Sequence, residues 1–237
     1  MKGRKICIII PARLGSSRFP GKPLVDIRGK SMIQRVYERC QETGVDKIII
    51  STEDQEIYDH VTKFGECDLT PQFQNGTLRV CHTANKLQGQ FDYIINVQGD
   101  EPFIDINFLK RFIENLISVK AGTILTGASE LKEKQAIDPN CVKLISNKEH
   151  VSGFTRSPFF NPPKNMFKHI GVYGFCSDDV QKISSLEPTE LSKKDSLEQI
   201  SWMEDGFSMK YTMCYTESIS IDTPEDLKMG LHFFDNL

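Results

Sequence analysis

The stretch KICIIIPARLGSSRFPGKPLVDI, residues 5–27, passes from a short apolar run into a loop rich in glycine and basic residues. This order is similar to that of a phosphate-binding P-loop, in which four residues separate the first Gly from a Gly-Lys pair that Ser or Thr follows. Here five residues separate Gly15 from Gly21, and Pro23 follows Lys22. Pro offers neither a hydroxyl for magnesium nor a backbone N–H for a phosphate. The stretch therefore predicts a strand followed by a ligand-binding loop that is not a Walker loop.

The overall composition is typical of globular proteins. The 237 residues are 39% hydrophobic and 26% charged, and α/β folds of this length commonly form one domain. No apolar run approaches the roughly 18 residues of a membrane span, and the apolar segment 6–10 is too short for a secretory signal. We therefore expect a cytoplasmic protein that does not insert into membranes.

Cysteines and charges narrow the possible partners. The seven cysteines are scattered and form no CxxC pair, which favours reduced thiols over a disulfide framework or a zinc site. The formal net charge of −3 gives no general attraction for nucleic acid. Residues 1–30, however, contain eight Lys or Arg and only one acidic residue, Asp26. This local excess of positive charge predicts a small anionic ligand.

Hydrophobic periodicity predicts alternating strands and helices in the first half of the chain. Short β-branched runs are typical of parallel strands that are buried on both faces, and amphipathic runs between them are typical of helices. The strands are predicted at residues 5–11, 47–52 and 91–97, and the helices at residues 31–44, 54–65 and 105–119. Ser31 and Asp105 are predicted to cap their helices, and Gly44 to end the first one. This order predicts an α/β fold with a largely parallel sheet.

After about residue 120 the pattern changes to that of a mixed sheet. Strands are predicted at residues 123–131, 141–146, 169–177 and 208–216, and helices at residues 195–206 and 222–234, with a Pro-rich loop at residues 156–165. No linker is long enough to separate two domains. We therefore predict a single domain, residues 1–237, in which approximately residues 120–200 contain an inserted β-rich region.

One pair of carboxylates follows the predicted strand 91–97, at the sheet edge where open parallel sheets bind ligands. Asp100 and Glu101 stand there, and Pro102 ends any further strand pairing. The segment is either an ordinary turn or a place where a carboxylate holds a hard cation such as Mg²⁺.

A second acidic cluster begins the last predicted helix. Thr223, Pro224 and Asp226 form a typical helix start, with a capping Thr and an acid three residues later. Capping leaves Asp222 unexplained. At the end of a predicted strand, Asp222 is free to point into the same site as Asp100, and the two acids could hold Mg²⁺ against a triphosphate.

The basic loop would then have a partner. Arg13, Arg18 and Lys22 could neutralise and orient phosphates, with backbone N–H groups of residues 15–17 as further donors. Any one of these cations could equally be a solvated loop residue. Their clustering beside a Gly-rich turn favours phosphate binding.

Two patterns in the second half of the chain are ambiguous. In HIGVYGF, residues 169–175, strand alternation places His169 and Tyr173 on one face, which is either a polar pocket wall or the solvated face of a sheet. In SLEQI, residues 196–200, Glu198 and Gln199 lie off the apolar stripe, and periodicity alone predicts surface residues.

Six blocks, in this order and spacing, resemble the 3-deoxy-manno-octulosonate (Kdo) cytidylyltransferases. The blocks are IPARLGSSRFPGKPLVDIRGKSMIQRVYER, NVQGDEP, DPNCVK, KHIGVYGF, SLEQI and IDTPEDL, and they span nearly the whole chain. The resemblance implies a Rossmann-like nucleotidyltransferase fold, with a mostly parallel sheet and an inserted mixed β region that contributes to sugar binding and to a homodimer. It also implies Mg²⁺-dependent transfer of CMP from CTP to the anomeric 2-hydroxyl of Kdo, with release of pyrophosphate, for lipopolysaccharide synthesis.

The resemblance further implies roles for individual residues. The implied catalytic residues are Lys22, Asp100 and Asp222, of which Asp100 and Asp222 are the magnesium ligands. The implied nucleotide-binding residues are Arg13, Gly15, Ser16, Ser17, Arg18, Lys22, Gly76, Thr77 and Arg79. The implied sugar-binding residues are Gln98, Arg156, His169, Tyr173, Glu198 and Gln199, which replaces the surface assignment of Glu198 and Gln199. In-line attack at the α-phosphorus needs no covalent intermediate, so no cysteine nucleophile is expected.

The chain departs from the family pattern at several positions. Asn75 and Leu78 replace the Ser and the acid of a Ser-Gly-Thr-Glu/Asp-Arg pattern, and Leu78 is expected to leave Arg79 without a partner. Ser201 replaces an Arg and Asp195 a Glu beside the sugar site. The acceptor could therefore be another 2-keto-3-deoxy sugar acid, such as a nonulosonic acid.

Two alternative functions remain. A non-catalytic nucleotide-binding homologue would keep the fold and lose turnover, although retention of both candidate magnesium ligands argues against it. A P-loop NTPase is disfavoured by Pro23 and by the loop spacing.

Overall fold

A nine-stranded mixed sheet organises the described residues, which are 3–16, 18–216 and 219–234 of this computed structural model. The strands are β1 Ile6–Ala12, β2 Asp26–Ile27, β3 Lys30–Ser31, β4 Lys47–Thr52, β5 Cys67–Leu69, β6 Tyr93–Asn96, β7 Thr123–Ser129, β8 Lys143–Asn147, β9 His150–Thr155, β10 Met166–Cys176 and β11 Ser208–Cys214. The helices are α1 Met32–Gln41, α2 Gln55–Val61, α3 Gly76–Lys86, α4 Ile106–Leu116, α5 Glu133–Ile137, α6 Val180–Ser184, α7 Glu190–Asp195, α8 Glu198–Glu204 and α9 Pro224–Phe234. Short 3₁₀ turns occupy Lys22–Leu24 and Ser177–Asp179, and β2 pairs with β3 in a separate ribbon.

The strand order confirms an α/β fold whose sheet is mixed. The order is β5-β4-β1-β6-β10-β7-β11-β9-β8. The first four strands pair in parallel, and β11 is parallel to β7. Strand β10 runs antiparallel between β6 and β7. The antiparallel strands β8 and β9 continue the same sheet at one edge, so the inserted β region extends the main sheet. The single-domain boundaries stay a prediction.

Both faces of the sheet are covered, which explains the uninterrupted β-branched runs. Along β1, Ile8 and Ile10 belong to one buried cluster, which the apolar sides of α1 and α4 complete. Cys7 and Ile9 belong to the other cluster, with residues of α3, α6 and α8. All four side chains are fully buried. Strand β1 is therefore a central element of the core, and the loop that follows it starts from a rigid position.

Three predicted helix starts are confirmed. The Ser31 side chain accepts a hydrogen bond from the Gln34 N–H, and the Asp105 side chain accepts one from the Phe108 N–H. At α9 the cap is reciprocal, because the Thr223 hydroxyl accepts from the Asp226 N–H at 3.2 Å while the Asp226 carboxylate accepts from the Thr223 N–H at 2.8 Å. The capping residues are polar and lie just before the first residue of each helix, so the sequence marks where the three helices begin.

Two predicted elements differ from the structure. The helix predicted over 195–206 begins at Glu198, because Ser196 adopts a left-handed conformation with φ 52° that ends the preceding helix α7. The prediction that a strand ends at Asp222 is wrong, since the described residues 219–222 are neither strand nor helix. Helix α3 was not predicted at all.

Among the described residues, no helix is both long enough and apolar enough to cross a membrane.

Candidate active site

The loop after β1 is tied down at its start and leaves its cations accessible. The Leu14 N–H donates to the Asp54 carboxylate at 2.7 Å, and the Leu14 carbonyl accepts from Gly21 N–H at 3.1 Å. Gly21 has φ 71°, a conformation that glycine adopts without steric cost. Arg13 and Arg18 are exposed. Gly15 is also exposed, Ser16 is partly buried, and Ser17 lies outside the described residues. The structure thus gathers the loop cations near one strand end.

Lys22 joins the two predicted magnesium ligands. Its ammonium lies 2.8 Å from Asp100 Oδ2 and 3.1 Å from Asp222 Oδ1, and Arg18 contacts the same Asp222 oxygen at 3.0 Å. A backbone hydrogen bond from Ile221 N–H to the Asp100 carbonyl, at 2.9 Å, brings the two acids together. Burial lowers the pKa of Lys22, but the two carboxylates outweigh it and raise the pKa above the ordinary value. One cation can therefore contact both carboxylates at once.

The donor set fits magnesium. An ammonium that contacts both Asp100 and Asp222 marks a position where a cation is shared by two carboxylates. No cluster of three or more His, Cys, Asp or Glu that could hold a metal ion occurs in the described ranges. Mg²⁺ is commonly bound by one or two carboxylates, with waters and substrate phosphates as its other ligands. A metal held with the help of a bound nucleotide suits this pair.

Close backbone packing brings together the end of β1, the start of α3 and the segment that follows β6. A Cβ on Gly99 would lie 2.8 Å from the Pro11 carbonyl oxygen, so only glycine fits between the end of β1 and the segment that follows β6. At the start of α3, a Cβ on Gly76 would meet the Pro11 ring at 3.2 Å. Asn75 caps α3 by accepting from the Leu78 N–H at 2.8 Å, so the replacement of Ser by Asn preserves the cap.

The expectation that Arg79 lacks a partner is wrong. Arg79 is 2% exposed and forms an ion pair with Glu53, which follows β4. The guanidinium nitrogen Nε has no hydrogen-bond partner in the described part of the chain. A buried guanidinium needs a carboxylate, and here the acid comes from a neighbouring strand end instead of the adjacent helix position. Glu53 directly follows the predicted strand 47–52, and that position at a strand end was the signal by which this partner could have been predicted.

A chain of hydrogen bonds connects Gln98 to Glu198. Gln98 donates to the Asn96 side-chain oxygen at 3.2 Å, and Asn96 donates to the Thr77 hydroxyl at 3.3 Å. The hydroxyl donates in turn to Glu198 Oε1 at 2.6 Å. Thr77, one of the implied nucleotide-binding residues, is thus connected to Gln98 and Glu198, two of the implied sugar-binding residues. Asn96 was not predicted as a site residue, because one polar residue within an apolar strand produces no recognisable sequence pattern.

Glu198 and Gln199, at the start of α8, are not surface residues. Gln199 is 2% exposed, and Glu198 is partly buried. Burial raises the pKa of Glu198 to about 7, against the opposing effect of the hydrogen bond from Thr77. Periodicity alone is therefore wrong for both residues, and the assignment that followed from the family resemblance agrees with their burial.

His169 and Tyr173 share a face, as strand alternation predicted. Their ring centroids are 5.6 Å apart, Phe154 packs against His169 at 5.0 Å, and Trp202 contacts Tyr173 edge-on at 4.8 Å. Burial lowers the pKa of His169 to about 3, with a further contribution from Arg156, so the imidazole is neutral at physiological pH. Burial also raises the pKa of Tyr173 well above its ordinary value. The pair forms a neutral wall.

Arg156 is held by backbone carbonyls. Its guanidinium donates to the carbonyls of Asp195 at 3.1 Å and Asn140 at 3.0 Å. Lys143, which is not among the site residues predicted from the sequence, is fully buried and donates to the Asp138 carbonyl at 2.6 Å. Lys143 ends the quoted DPNCVK block, which was the available signal.

Ser201 has a structural partner. Its hydroxyl accepts a hydrogen bond from the Thr189 N–H at 3.1 Å, and the side chain is 5% exposed. Thr189 is the N-cap of α7. The residue at this departure from the family pattern therefore supports a helix start.

Comparisons with known proteins agree on one family. The model of the cytidylyltransferase family matches residues 7–218. The 3-deoxy-manno-octulosonate cytidylyltransferase of Cytophaga hutchinsonii is 36% identical over 243 residues, with 96% of each chain covered. The mitochondrial enzyme of the same name from Arabidopsis thaliana is 36% identical, with 93% of this chain and 80% of that protein covered.

Solved structures show the same similarity. A structure of CMP:2-keto-3-deoxy-manno-octonic acid synthetase complexed with CTP superposes with a TM-score of 0.89, at 32% identity, covering 98% of this chain and 99% of that one. The 4-diphosphocytidyl-2C-methyl-D-erythritol synthase of Anaerococcus prevotii shares the fold at a TM-score of 0.67 and 16% identity, covering 98% of this chain and 99% of that one. With its strand-end loop, paired acids and family match over residues 7–218, this chain belongs to the cytidylyltransferase family.

Proposed function

We propose that this protein transfers CMP from CTP to the anomeric 2-hydroxyl of Kdo and releases pyrophosphate. The observation that carries the proposal is the cluster of Lys22, Asp100 and Asp222, in which one cation contacts two carboxylates beside a basic loop. The names of the relatives, which are 3-deoxy-manno-octulosonate cytidylyltransferases, support Kdo as the acceptor.

The basic loop would bind the triphosphate. Arg13, Arg18 and Lys22 would place positive charge around the phosphates and stabilise the pyrophosphate as it leaves. Gly76 at the start of α3 lets the helix approach Pro11 closely, and Arg79 would face the base side of the nucleotide. Positioning and charge neutralisation supply most of the catalysis in such a transfer.

Asp100 and Asp222 would hold Mg²⁺. When bound, the metal neutralises phosphate charge and lowers the pKa of the attacking hydroxyl. Lys22 would exchange its contacts with the two carboxylates for contacts with the phosphates, because the metal would take the place of its ammonium beside the acids.

The sugar acid would bind beside the nucleotide. Gln98, Glu198 and Gln199 would fix its hydroxyl groups, and His169 with Tyr173 would form the neutral wall. Arg156 would contribute positive charge near the acceptor carboxylate. We also propose that the protein acts in lipopolysaccharide synthesis. We propose further that it is a homodimer and that it is located in the cytoplasm.

A pyrophosphate-release assay tests the proposal. With CTP, Mg²⁺ and Kdo, we expect release in the wild type and a loss of at least about 100-fold in Asp100→Asn and Asp222→Asn, because charge neutralisation at the phosphates fails. Asp59→Asn is a matched control, because Asp59 hydrogen-bonds Gln55 at the exposed surface and should keep full activity. Release only with a nonulosonic acid would reassign the acceptor. Binding of CTP without turnover on any 2-keto-3-deoxy sugar acid would support the non-catalytic homologue.

A further inference from the structure

A buried hydroxyl contacts His169 of the neutral wall, and the direction of its single hydrogen decides what His169 can bind. Thr126 lies in β7 and is fully buried. Its Oγ1 is 2.9 Å from His169 Nε2, 2.9 Å from the Val172 carbonyl oxygen and 3.4 Å from the Ile170 carbonyl oxygen. One side chain therefore contacts three groups of β10.

An irregular strand pairing creates this arrangement. Between β10 and β7 the register passes from Ile170 opposite Gly127 to Tyr173 opposite Thr126, so two residues of β10 are extra at this point. Such bulges re-aim side chains and leave backbone groups to be satisfied locally. The Thr126 hydroxyl occupies the bulge and contacts the carbonyls of Ile170 and Val172.

The direction of each hydrogen bond follows from the atoms. A carbonyl oxygen only accepts, so the contact of 2.9 Å with Val172 requires the hydroxyl to donate its hydrogen. A hydroxyl has one hydrogen, so toward His169 Nε2 it must accept. Nε2 therefore carries the imidazole hydrogen, and in a neutral ring Nδ1 has a lone pair. The reverse assignment would leave two carbonyl oxygens facing the hydroxyl oxygen with no hydrogen between them.

We propose that Thr126 is a positioning residue that fixes the tautomer of His169, so that Nδ1 accepts a hydrogen bond from a hydroxyl of the acceptor sugar. Nδ1 forms no hydrogen bond within residues 3–16, 18–216 and 219–234. His169 is partly exposed, and its ring contacts those of Phe154 and Tyr173. An accepting nitrogen attracts a sugar hydroxyl and repels a carboxylate. His169 thus selects for a hydroxyl group at its place in the pocket.

This inference rests on the proposed function only for the identity of the ligand, and the first experiment is independent of it. Nitrogen-15 NMR of the histidine side chains in the wild-type protein at neutral pH, assigned with His169→Gln, reports the tautomer directly. We expect protonated Nε2 and unprotonated Nδ1 at His169. A protonated Nδ1, or a doubly protonated ring, would overturn the proposal whatever the enzyme's substrate.

Variants of Thr126 give the second test. In Thr126→Val we expect a mixture of tautomers, a rise of about tenfold in KM for the sugar acid, and little change in kcat or in KM for CTP, because one hydrogen bond to substrate is weakened. Thr126→Ser keeps the hydroxyl and should rescue both the tautomer and the KM. Thr212→Val is a matched control, since Thr212 is a buried β11 residue whose hydroxyl accepts from Asn115 at 2.9 Å.

A purely structural role would behave differently. If Thr126 acts through His169, the double variant Thr126→Val/His169→Ala should have the same KM as His169→Ala, because the two changes remove one interaction. A raised KM in Thr126→Val with an unchanged tautomer, or an additive double variant, would overturn the proposal. If Thr126→Val fails to fold, the wild-type spectrum and Thr126→Ser still decide the tautomer.

Discussion

Arg79 carries a buried positive charge, and a carboxylate that is distant in sequence neutralises it. The side chain is 2% exposed and pairs with Glu53, 26 positions earlier in the chain. Its Nε has no hydrogen-bond partner in the part of the chain that the structure describes. Removing the carboxylate from such a pair costs more than the pair contributes, since the remaining charge stays buried.

Glu53→Gln should therefore destabilise the protein strongly. We expect the free energy of unfolding to fall by roughly 3 kcal/mol, because the amide leaves the guanidinium without a counter-charge. Urea unfolding at neutral pH measures the change. Glu42→Gln is the matched control, since the Arg39–Glu42 pair is surface-exposed and should change stability by less than about 0.5 kcal/mol. Equal effects of the two variants would contradict the expectation.

The Lys22 ammonium occupies the position that a metal would take, so it competes with any metal for Asp100 and Asp222. In Lys22→Met we expect the nucleotide-free affinity for Mn²⁺ to rise about tenfold, since two carboxylates lose their cation. Pyrophosphate release should nevertheless fall by at least about 100-fold. Titration followed by electron paramagnetic resonance measures metal binding. Arg18→Met, which removes a contact with Asp222 alone, should have a smaller effect, and unchanged Mn²⁺ affinity in Lys22→Met would refute the competition.

At the scale of elements, the hydrogen bond from Thr77 to Glu198 joins α3 to α8. Burial raises the pKa of Glu198 from 4.5 to about 7. Between those two pH values the folded protein keeps a proton that the unfolded chain has lost. The contribution of Glu198 to stability is therefore present below about pH 4.5 and is lost progressively as pH rises through 7.

Glu198→Gln should remove this pH dependence, because the amide does not titrate. Between pH 5 and pH 8 the wild type should lose roughly 2 kcal/mol more of its free energy of unfolding than the variant, a figure reduced for partial solvent exposure. Urea unfolding at both pH values gives the comparison. Parallel pH profiles for the two proteins would show that Glu198 titrates normally.

The elements differ in how far sequence predicted them. Helices α1 and α4 combine an apolar stripe with a capping side chain, so their starts were predictable. Helix α3 buries polar residues, including Thr77 and Arg79, on its inner side, and a hydrophobic pattern cannot reveal such a helix. The start of α8 depended on the left-handed Ser196, a conformation that Ser adopts only when tertiary contacts favour it.

At the scale of the whole molecule, the inserted β region carries exposed apolar side chains in α5 and in the Pro-rich loop. Phe160 is 85% exposed and Ile137 45% exposed. The Phe159 N–H donates to the Ala136 carbonyl at 2.9 Å, which places the Pro-rich loop beside α5. We assign the proposed homodimer interface to this region, because Phe160 is a large apolar side chain that lies almost fully in solvent.

Phe160→Ser should weaken that dimer. We expect its dissociation constant to rise at least about tenfold, because a buried aromatic anchor commonly contributes more than 1.4 kcal/mol to an interface. Sedimentation equilibrium measures the mass distribution. Leu69→Ser is the matched control, since Leu69 is 41% exposed in β5, at the opposite edge of the sheet. A monomeric wild type, or equal effects of both variants, would exclude this interface.

The sequence by itself determined the alternation of β-branched strands with amphipathic helices, the capping residues, and which polar residues follow each strand. Those features are local. Repeats of two or 3.6 residues mark the strands and helices, and the capping and strand-end residues lie next to them in the sequence. Only the tertiary structure decided that Lys22 contacts acids 78 and 200 positions away, and that Thr126 meets His169. Such pairs depend on strand order, with β10 inserted between β6 and β7. The order of strands is set by the packing of the whole core, which no local repeat encodes.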